Sequence, residues 1–230
     1  AGIGRYEGKV AATFEIVRPT YDVSEFIDVP RNGSEWYTDY VYEAAKYGYL
    51  TGYKYADGTP TGYFGPNDAL TRAQVATILY RACPTGSLTD TDNSSDANSV
   101  NKTPFPDVES GAFYTKAMNW AYANGILTGV DGKGEMQPNR EITREELACV
   151  MMRYAKSCGI ARVDAEPSEE GITDWADVSS FAMSAIKWAL ANGVISGVDN
   201  LDGTRSLCPH DSASRAQMAK IILNVEAMRG

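Results

Sequence analysis

Apolar positions in this chain recur at spacings of three and four in six windows, and the windows come in pairs. The first of each pair spans roughly residues 35–47, 112–124 and 181–192, where side chains such as Phe113, Ala117, Trp120 and Ala121 share one side of a helical wheel. The second spans roughly residues 71–81, 143–154 and 214–225 and carries Val75, Ile78 and Leu79, then Leu147, Val150 and Met151, then Met218, Ile221 and Ile222. Both windows predict amphipathic helices. Each first helix runs into a glycine, and Asn124-Gly125 and Asn192-Gly193 suit a left-handed C-terminal cap. A loop with a second glycine and an Asp-Gly turn then leads to the proline ahead of the second helix.

The second helices open on Thr71-Arg72-Ala73-Gln74, Thr143-Arg144-Glu145-Glu146 and Ser214-Arg215-Ala216-Gln217. A hydroxyl residue followed three positions later by Gln or Glu predicts a capping box, in which each side chain satisfies a backbone N–H at the helix start. The cap does not account for the arginine, because a cation at the first helical position meets the positive end of the helix dipole. The arginines are spaced by 72 and 71 residues. Phe26-Ile27-Asp28-Val29, Phe105-Pro106-Asp107-Val108 and Trp175-Ala176-Asp177-Val178 open the same three segments, and Gly52, Gly129 and Gly197 recur in their loops. Ordered landmarks at so regular a period mark an internal repeat. One copy has too little interior to be comfortably stable alone, so three copies are expected to pack their apolar faces about a pseudo-threefold axis.

This divides the chain into copies at 26–83, 104–158 and 172–230, with linkers at 84–103 and 159–171 rich in Asp, Glu, Asn and Ser. Residues 1–20 stand apart. Val10 to Val17 reads as a strand with no partner nearby, and it resembles the closing strand of bacterial immunoglobulin-like repeats, hence a remnant of an upstream domain.

Composition narrows the functional classes. Net charge is −9 over 230 residues with a pI near 4.7, so no basic field draws in nucleic acid or an anionic membrane, and no apolar run has the length of a membrane span. Cys83, Cys149, Cys158 and Cys208 lack metal-site spacing, and their redox state is open. Asp90 to Ser94 begins like a calcium loop, but Ser95 and Asn101 stand where glycine and glutamate are needed. His210 is the single histidine and no nucleophile motif surrounds any serine, so neither catalysis, cofactor nor metal is expected.

From Phe26 to about Val225 the Phe-x-Asp-Val starts, the paired glycines and the Thr-Arg-Ala-Gln type helix starts resemble the S-layer homology domain. The resemblance implies a mostly α, three-pronged pseudo-trimer with ligand grooves between copies. It implies an extracellular, non-enzymatic anchor of Gram-positive walls, carrying an upstream cargo domain and binding secondary cell wall polysaccharide through pyruvylated sugar. On that reading Arg72, Arg144 and Arg215 grip the pyruvyl carboxylate, aided by free N–H groups at the helix starts. Asp28, Asp107 and Asp177 contact sugar hydroxyls or hold the arginines, Trp120 and Trp188 wall the grooves, and Gly52, Gly129 and Gly197 admit the ligand close to the backbone. Unequal sites are expected. Arg215 ranks first, Glu145 blunts Arg144, and Glu43 leaves the Arg72 copy without its tryptophan. Each residue also has a structural reading: arginine–aspartate salt bridges between copies, aspartate turns, core tryptophans and glycine punctuation. In function, the alternative is a protein interaction module for lateral surface-layer assembly.

Overall fold

The computed structural model describes residues 25–83, 105–130, 132, 134–160, 169 and 171–229. The expected strand at 10–17, the linker at 84–103 and most of the linker at 159–171 lie outside the described residues.

Among the described residues six α-helices carry the fold: α1 (Thr38–Lys46), α2 (Arg72–Ala82), α3 (Thr115–Ala123), α4 (Arg144–Ser157), α5 (Met183–Ala191) and α6 (Arg215–Ala227). A two-stranded antiparallel ribbon, β1 (Val198–Asp199) and β2 (Arg205–Ser206), lies between α5 and α6. The mostly α, three-repeat architecture is therefore present. All three capping boxes form, with Thr71, Thr143 and Ser214 accepting from the N–H groups of Gln74, Glu146 and Gln217. The first helices start two or three residues later than periodicity suggests. Their N-cap positions, Tyr37, Tyr114 and Ala182, supply no side-chain cap, so the residues just upstream form turns instead.

The packing unit is not the sequence copy. α2 packs on α3, α4 on α5, and α6 on α1. Each prong thus joins the second helix of one copy to the first helix of the next, and the last helix closes on the first. Val41, Leu79, Met118, Met151, Ile186 and Ile222 are buried between these pairs. No copy can bury its own helices without its neighbours.

At the centre the chain closes a ring of backbone hydrogen bonds. Leu70 N–H donates to Ala213 O, Ala213 N–H to Ile142 O and Ile142 N–H to Leu70 O, all at 2.9 Å. These three residues are wholly buried and immediately precede the capping residues. The ring therefore fixes where α2, α4 and α6 begin relative to one another.

The third copy departs locally. A 3₁₀ turn at Trp175–Asp177 separates Asp174 from Val178, whereas Asp28 and Asp107 adjoin Val29 and Val108 directly.

Because α6 covers α1, a chain ended at residue 214 is expected to expose the α1 amides. Hydrogen exchange should then show α1 protection lost while α4 and α5 retain more. Undiminished α1 protection would mean that each copy folds by itself.

Candidate functional site

The three repeat arginines do not lie free at their helix starts. Arg72 reaches into the second copy, where its Nε donates to Met136 O at 2.8 Å and its Nη2 to Thr128 O at 2.8 Å. Arg215 closes the ring onto the first copy, with Nε on Phe64 O at 2.7 Å and Nη2 on Thr51 O at 2.7 Å. Both are buried, at 5% and 6% exposure. Arg144 donates from Nε to Leu207 O of the third copy at 2.7 Å. Among the described residues its Nη2 makes no corresponding bond, and the equivalent carbonyl, Ser196 O, accepts instead from Arg205 Nη1 at 3.0 Å. Burial is the leading influence on all three guanidinium pKa values and lowers each. They keep their charge at neutral pH all the same.

The aspartates serve the loops that these arginines grasp. Asp28 accepts from Phe64 N–H at 2.8 Å and Gly65 N–H at 2.7 Å, and Asp107 accepts from Met136 N–H at 3.0 Å and Gln137 N–H at 2.7 Å. In the third copy Asp174 takes this place, accepting from Leu207 N–H and Cys208 N–H at 2.7 Å each. Asp177, picked out beside its valine, is exposed on the inserted turn. Phe64, Met136 and Leu207 thus each donate their N–H to an aspartate of their own copy and offer their carbonyl to an arginine of the preceding one. The expected arginine–aspartate salt bridges are replaced by this relay through one peptide residue. The carboxylate also holds the residue that follows in left-handed backbone, Gly65 at φ 72°, Gln137 at φ 50° and Cys208 at φ 49°. For a residue with a side chain that conformation costs about 1–2 kcal/mol.

The helix starts are also occupied. Arg72 and Ala73 N–H donate to Arg140 O and Pro138 O, Arg144 and Glu145 to Asp211 O and Pro209 O, and Arg215 and Ala216 to Asp68 O and Pro66 O. With the next N–H taken by the capping hydroxyl, no donor is left there for an anion.

Trp120 and Trp188 are core residues at 3% and 8% exposure, and Trp120 packs edge-on against Tyr80. The helical stripe that reveals a tryptophan does not tell which flank of the stripe meets a neighbour. Trp36, at 55% exposure, faces a groove, as does Phe181, and Phe113 is their exposed counterpart. Recurrence of an aromatic just ahead of each first helix was the available signal. Gly52 and Gly129 serve packing, since a Cβ there would stand 2.7 and 2.6 Å from the Phe26 and Phe105 rings. Gly197, at φ 78°, lines a groove.

Two grooves each draw on all three copies. The largest described here, about 420 Å³, is bordered by Arg144 of the second copy, by Ser196, Gly197 and Lys220 of the third, and by Trp36 of the first. Lys220 Nζ lies 3.4 Å from Ser196 Oγ and 5.9 Å from the Trp36 ring. A smaller groove of about 170 Å³ sets Arg72 with Gly129, Glu146, Arg153 and Phe181. Around Arg215 the space is taken: the Tyr53 and Phe64 rings lie 4.7 and 4.6 Å from its guanidinium carbon, and Tyr53 Oη donates to Asp68 at 2.7 Å. Glu145 does not turn toward Arg144. Its carboxylate accepts from Ser179 N–H and Oγ and lies 3.4 Å from His210 Nδ1. Among the described residues no group of His, Cys, Asp and Glu side chains is placed to hold a metal.

Removing Arg72 or Arg215 as alanine leaves two buried carbonyls without a donor, and about 2–4 kcal/mol of stability should be lost in urea denaturation. Arg144→Ala strands one and should cost less than either. Asp174→Ala should lower the urea midpoint clearly, whereas Asp177→Ala should leave it unchanged; equal effects would refute the relay in the third copy.

The S-layer homology domain matches this chain at residues 25–76, 104–148 and 171–219. Domains of this kind occur in S-layer and cell-surface proteins attached to the cell wall, outside the cell. A surface-layer 125 kDa protein of Lysinibacillus sphaericus is 30% identical over 74% of this chain and 13% of its own length. An amylopullulanase of Thermoanaerobacterium thermosulfurigenes is 29% identical over 72% of this chain and 8% of its own, and an endoglucanase of a Bacillus species is 30% identical over 72% and 16%. The chain therefore spans less than a fifth of each relative. No helix among the described residues is long and apolar enough to cross a membrane.

Proposed function

The chain belongs to the S-layer homology domain family, and from that premise we propose that it is a non-catalytic anchor that ties a larger surface protein to secondary cell wall polysaccharide through a carboxylate-bearing sugar, such as a pyruvyl ketal. The groove beside Arg144 is the principal site. One observation carries this reading: Arg144 alone among the repeat arginines keeps its Nη2 out of the inter-copy clasp, and it opens onto a groove with Lys220 and Trp36. A guanidinium edge can grip a carboxylate with two parallel charge-assisted bonds, Lys220 adds a second cation, and an indole face suits the apolar face of a sugar ring.

The other grooves are weaker sites on this reading. Arg72 has committed Nε and Nη2 to carbonyls, although Arg153 supplies a further cation and Phe181 a ring. Arg215 is both committed and covered by Tyr53. On this reading Arg144 ranks ahead of Arg215, which the sequence placed first. Asp28, Asp107 and Asp174 act by holding the loops that line the grooves.

Binding to purified wall polysaccharide, with and without its pyruvyl groups, tests the proposal. Lys220→Ala should weaken binding about tenfold or more while the melting temperature moves little; Arg144→Ala should weaken it at least as much, with a smaller loss of stability than Arg72→Ala or Arg215→Ala, and Trp36→Ala should weaken it as well. Equal binding to both polysaccharide preparations would sink the carboxylate mechanism. Binding to neither would leave lateral assembly of a surface lattice as the function.

A further inference from the structure

Arg205 stands where the other two copies have glycine. Phe64, Met136 and Leu207 hold equivalent places, each offering its carbonyl to the Nε of a repeat arginine, and two residues ahead of them stand Gly62, Gly134 and Arg205. Gly62 and Gly134 are in left-handed backbone, at φ 83° and 70°. Arg205 lies instead in β2, where its backbone is held from both sides. It pairs with Asp199 of β1, its N–H donates to Gly171 O at 2.7 Å, and its carbonyl accepts from Thr173 N–H at 2.9 Å. From that mount its Nη1 reaches Ser196 O at 3.0 Å. Ser196 precedes Gly197 as Thr51 precedes Gly52 and Thr128 precedes Gly129. The carbonyls of Thr51 and Thr128 are the ones that Arg215 and Arg72 occupy with Nη2. The third copy therefore fills from within a socket that, in the other two, receives an arginine from a neighbouring copy.

We propose that Arg205 is a positioning residue for the Arg144 groove: by occupying Ser196 O it keeps the outer end of Arg144 from closing onto the third copy and leaves that end for the ligand's carboxylate. Its consequence for binding rests on reading that groove as the carboxylate site, whereas the competition of two arginines for one carbonyl stands on hydrogen bonds. The competition is exclusive, because a second guanidinium on the same oxygen would bring two like charges together in a half-buried place. Exposure follows the same division. Arg72 and Arg215, each held through two donors, are buried, whereas Arg144 is half-buried and borders the groove. Among the described residues Arg144 has spent only Nε, on Leu207 O, so both of its Nη groups are left for a paired, end-on grip of a carboxylate. Arg72 and Arg215 have each spent Nη2 as well and lack that pair. Arg205 is not among the residues that line the groove, so it acts through Arg144 rather than on the sugar.

The test is Arg205→Ala in the whole chain, read in two ways. With Ser196 O vacated, Arg144 Nη2 is expected to take it, so binding to pyruvylated wall polysaccharide should fall about tenfold while the urea midpoint holds. Arg205→Lys, which keeps a donor for Ser196 O, should bind within about threefold of the wild type. The second readout needs no ligand. Arg144→Ala should lower the urea midpoint about twice as far in the Arg205→Ala chain as in the wild type, because it then strands the carbonyls of both Leu207 and Ser196 rather than that of Leu207 alone. Should Arg205→Ala fail to fold, Arg205→Met, which keeps the apolar stem and removes the donors, takes its place in both measurements. Unchanged binding in Arg205→Ala would overturn the proposal. Weaker binding with simply additive effects of the two alanines on the urea midpoint would also overturn it, making Arg205 a contact of the glycan instead. If the wild type itself does not bind the polysaccharide, the glycan reading of the groove falls, and the urea comparison still decides whether Arg205 holds Arg144 out of the clasp.

Discussion

The fold depends on a closed clasp between copies, made chiefly of backbone. Three N–H groups and three carbonyls on Leu70, Ile142 and Ala213 form a cycle, and around it the arginine of each second helix takes hold of a carbonyl in the following copy. This resolves the placement of a cation at the positive end of a helix dipole. The dipole penalty is a fraction of a kcal/mol to about one. A charge-assisted bond to a buried carbonyl is worth about 1.5–3 kcal/mol, and Arg72 and Arg215 each make two. Arginine suits the task better than lysine because its fork reaches two carbonyls from one planar group. The same clasp uses up the helix-start N–H groups, so an architecture that looks suited to binding anions at helix termini has spent that capacity on holding itself together.

The proposed site depends on where the symmetry lapses. In the first and second copies Thr51 O and Thr128 O each receive an arginine from a neighbouring copy. In the third, Arg205 on β2 satisfies Ser196 O from within the copy and releases the outer edge of Arg144. One internal substitution for an inter-copy bond thus converts a structural cation into one that faces a groove. Groove assembly from all three copies means that this local lapse can be used only if the whole ring is closed.

How far sequence reached follows from what kind of atom makes each contact. The helices, their caps, the left-handed glycines and the threefold period are written in side-chain identity, and all were legible. The acceptors for Arg72, Arg144 and Arg215 are backbone carbonyls of Met136, Leu207 and Phe64, which leave no residue-type signal. A carboxylate partner was the natural inference, and Asp28 and Asp107 were found one peptide removed from the arginine they support. Asp174 was missed for a different reason. The valine landmark aligns Asp177 with Asp28 and Asp107, and a three-residue insertion between aspartate and valine is invisible unless the hydrogen bonds to Leu207 and Cys208 are seen. The tryptophans show the limit of periodicity: Trp120 and Trp188 lie on the apolar stripe and are core, while Trp36 lies just outside α1, where no helical pattern applies, and meets the groove.

The two ends of the assembly carry different burdens. At the ring end, hydrogen bonds fix the geometry of the grooves, so any loosening there blurs the position of Arg144 relative to Lys220. At the other end side chains tie the helix termini together: the Tyr154–Glu226–Arg229 network, Ser157 Oγ donating to Asn124 O and Asn224 Nδ2 donating to Gly193 O keep the prongs in place.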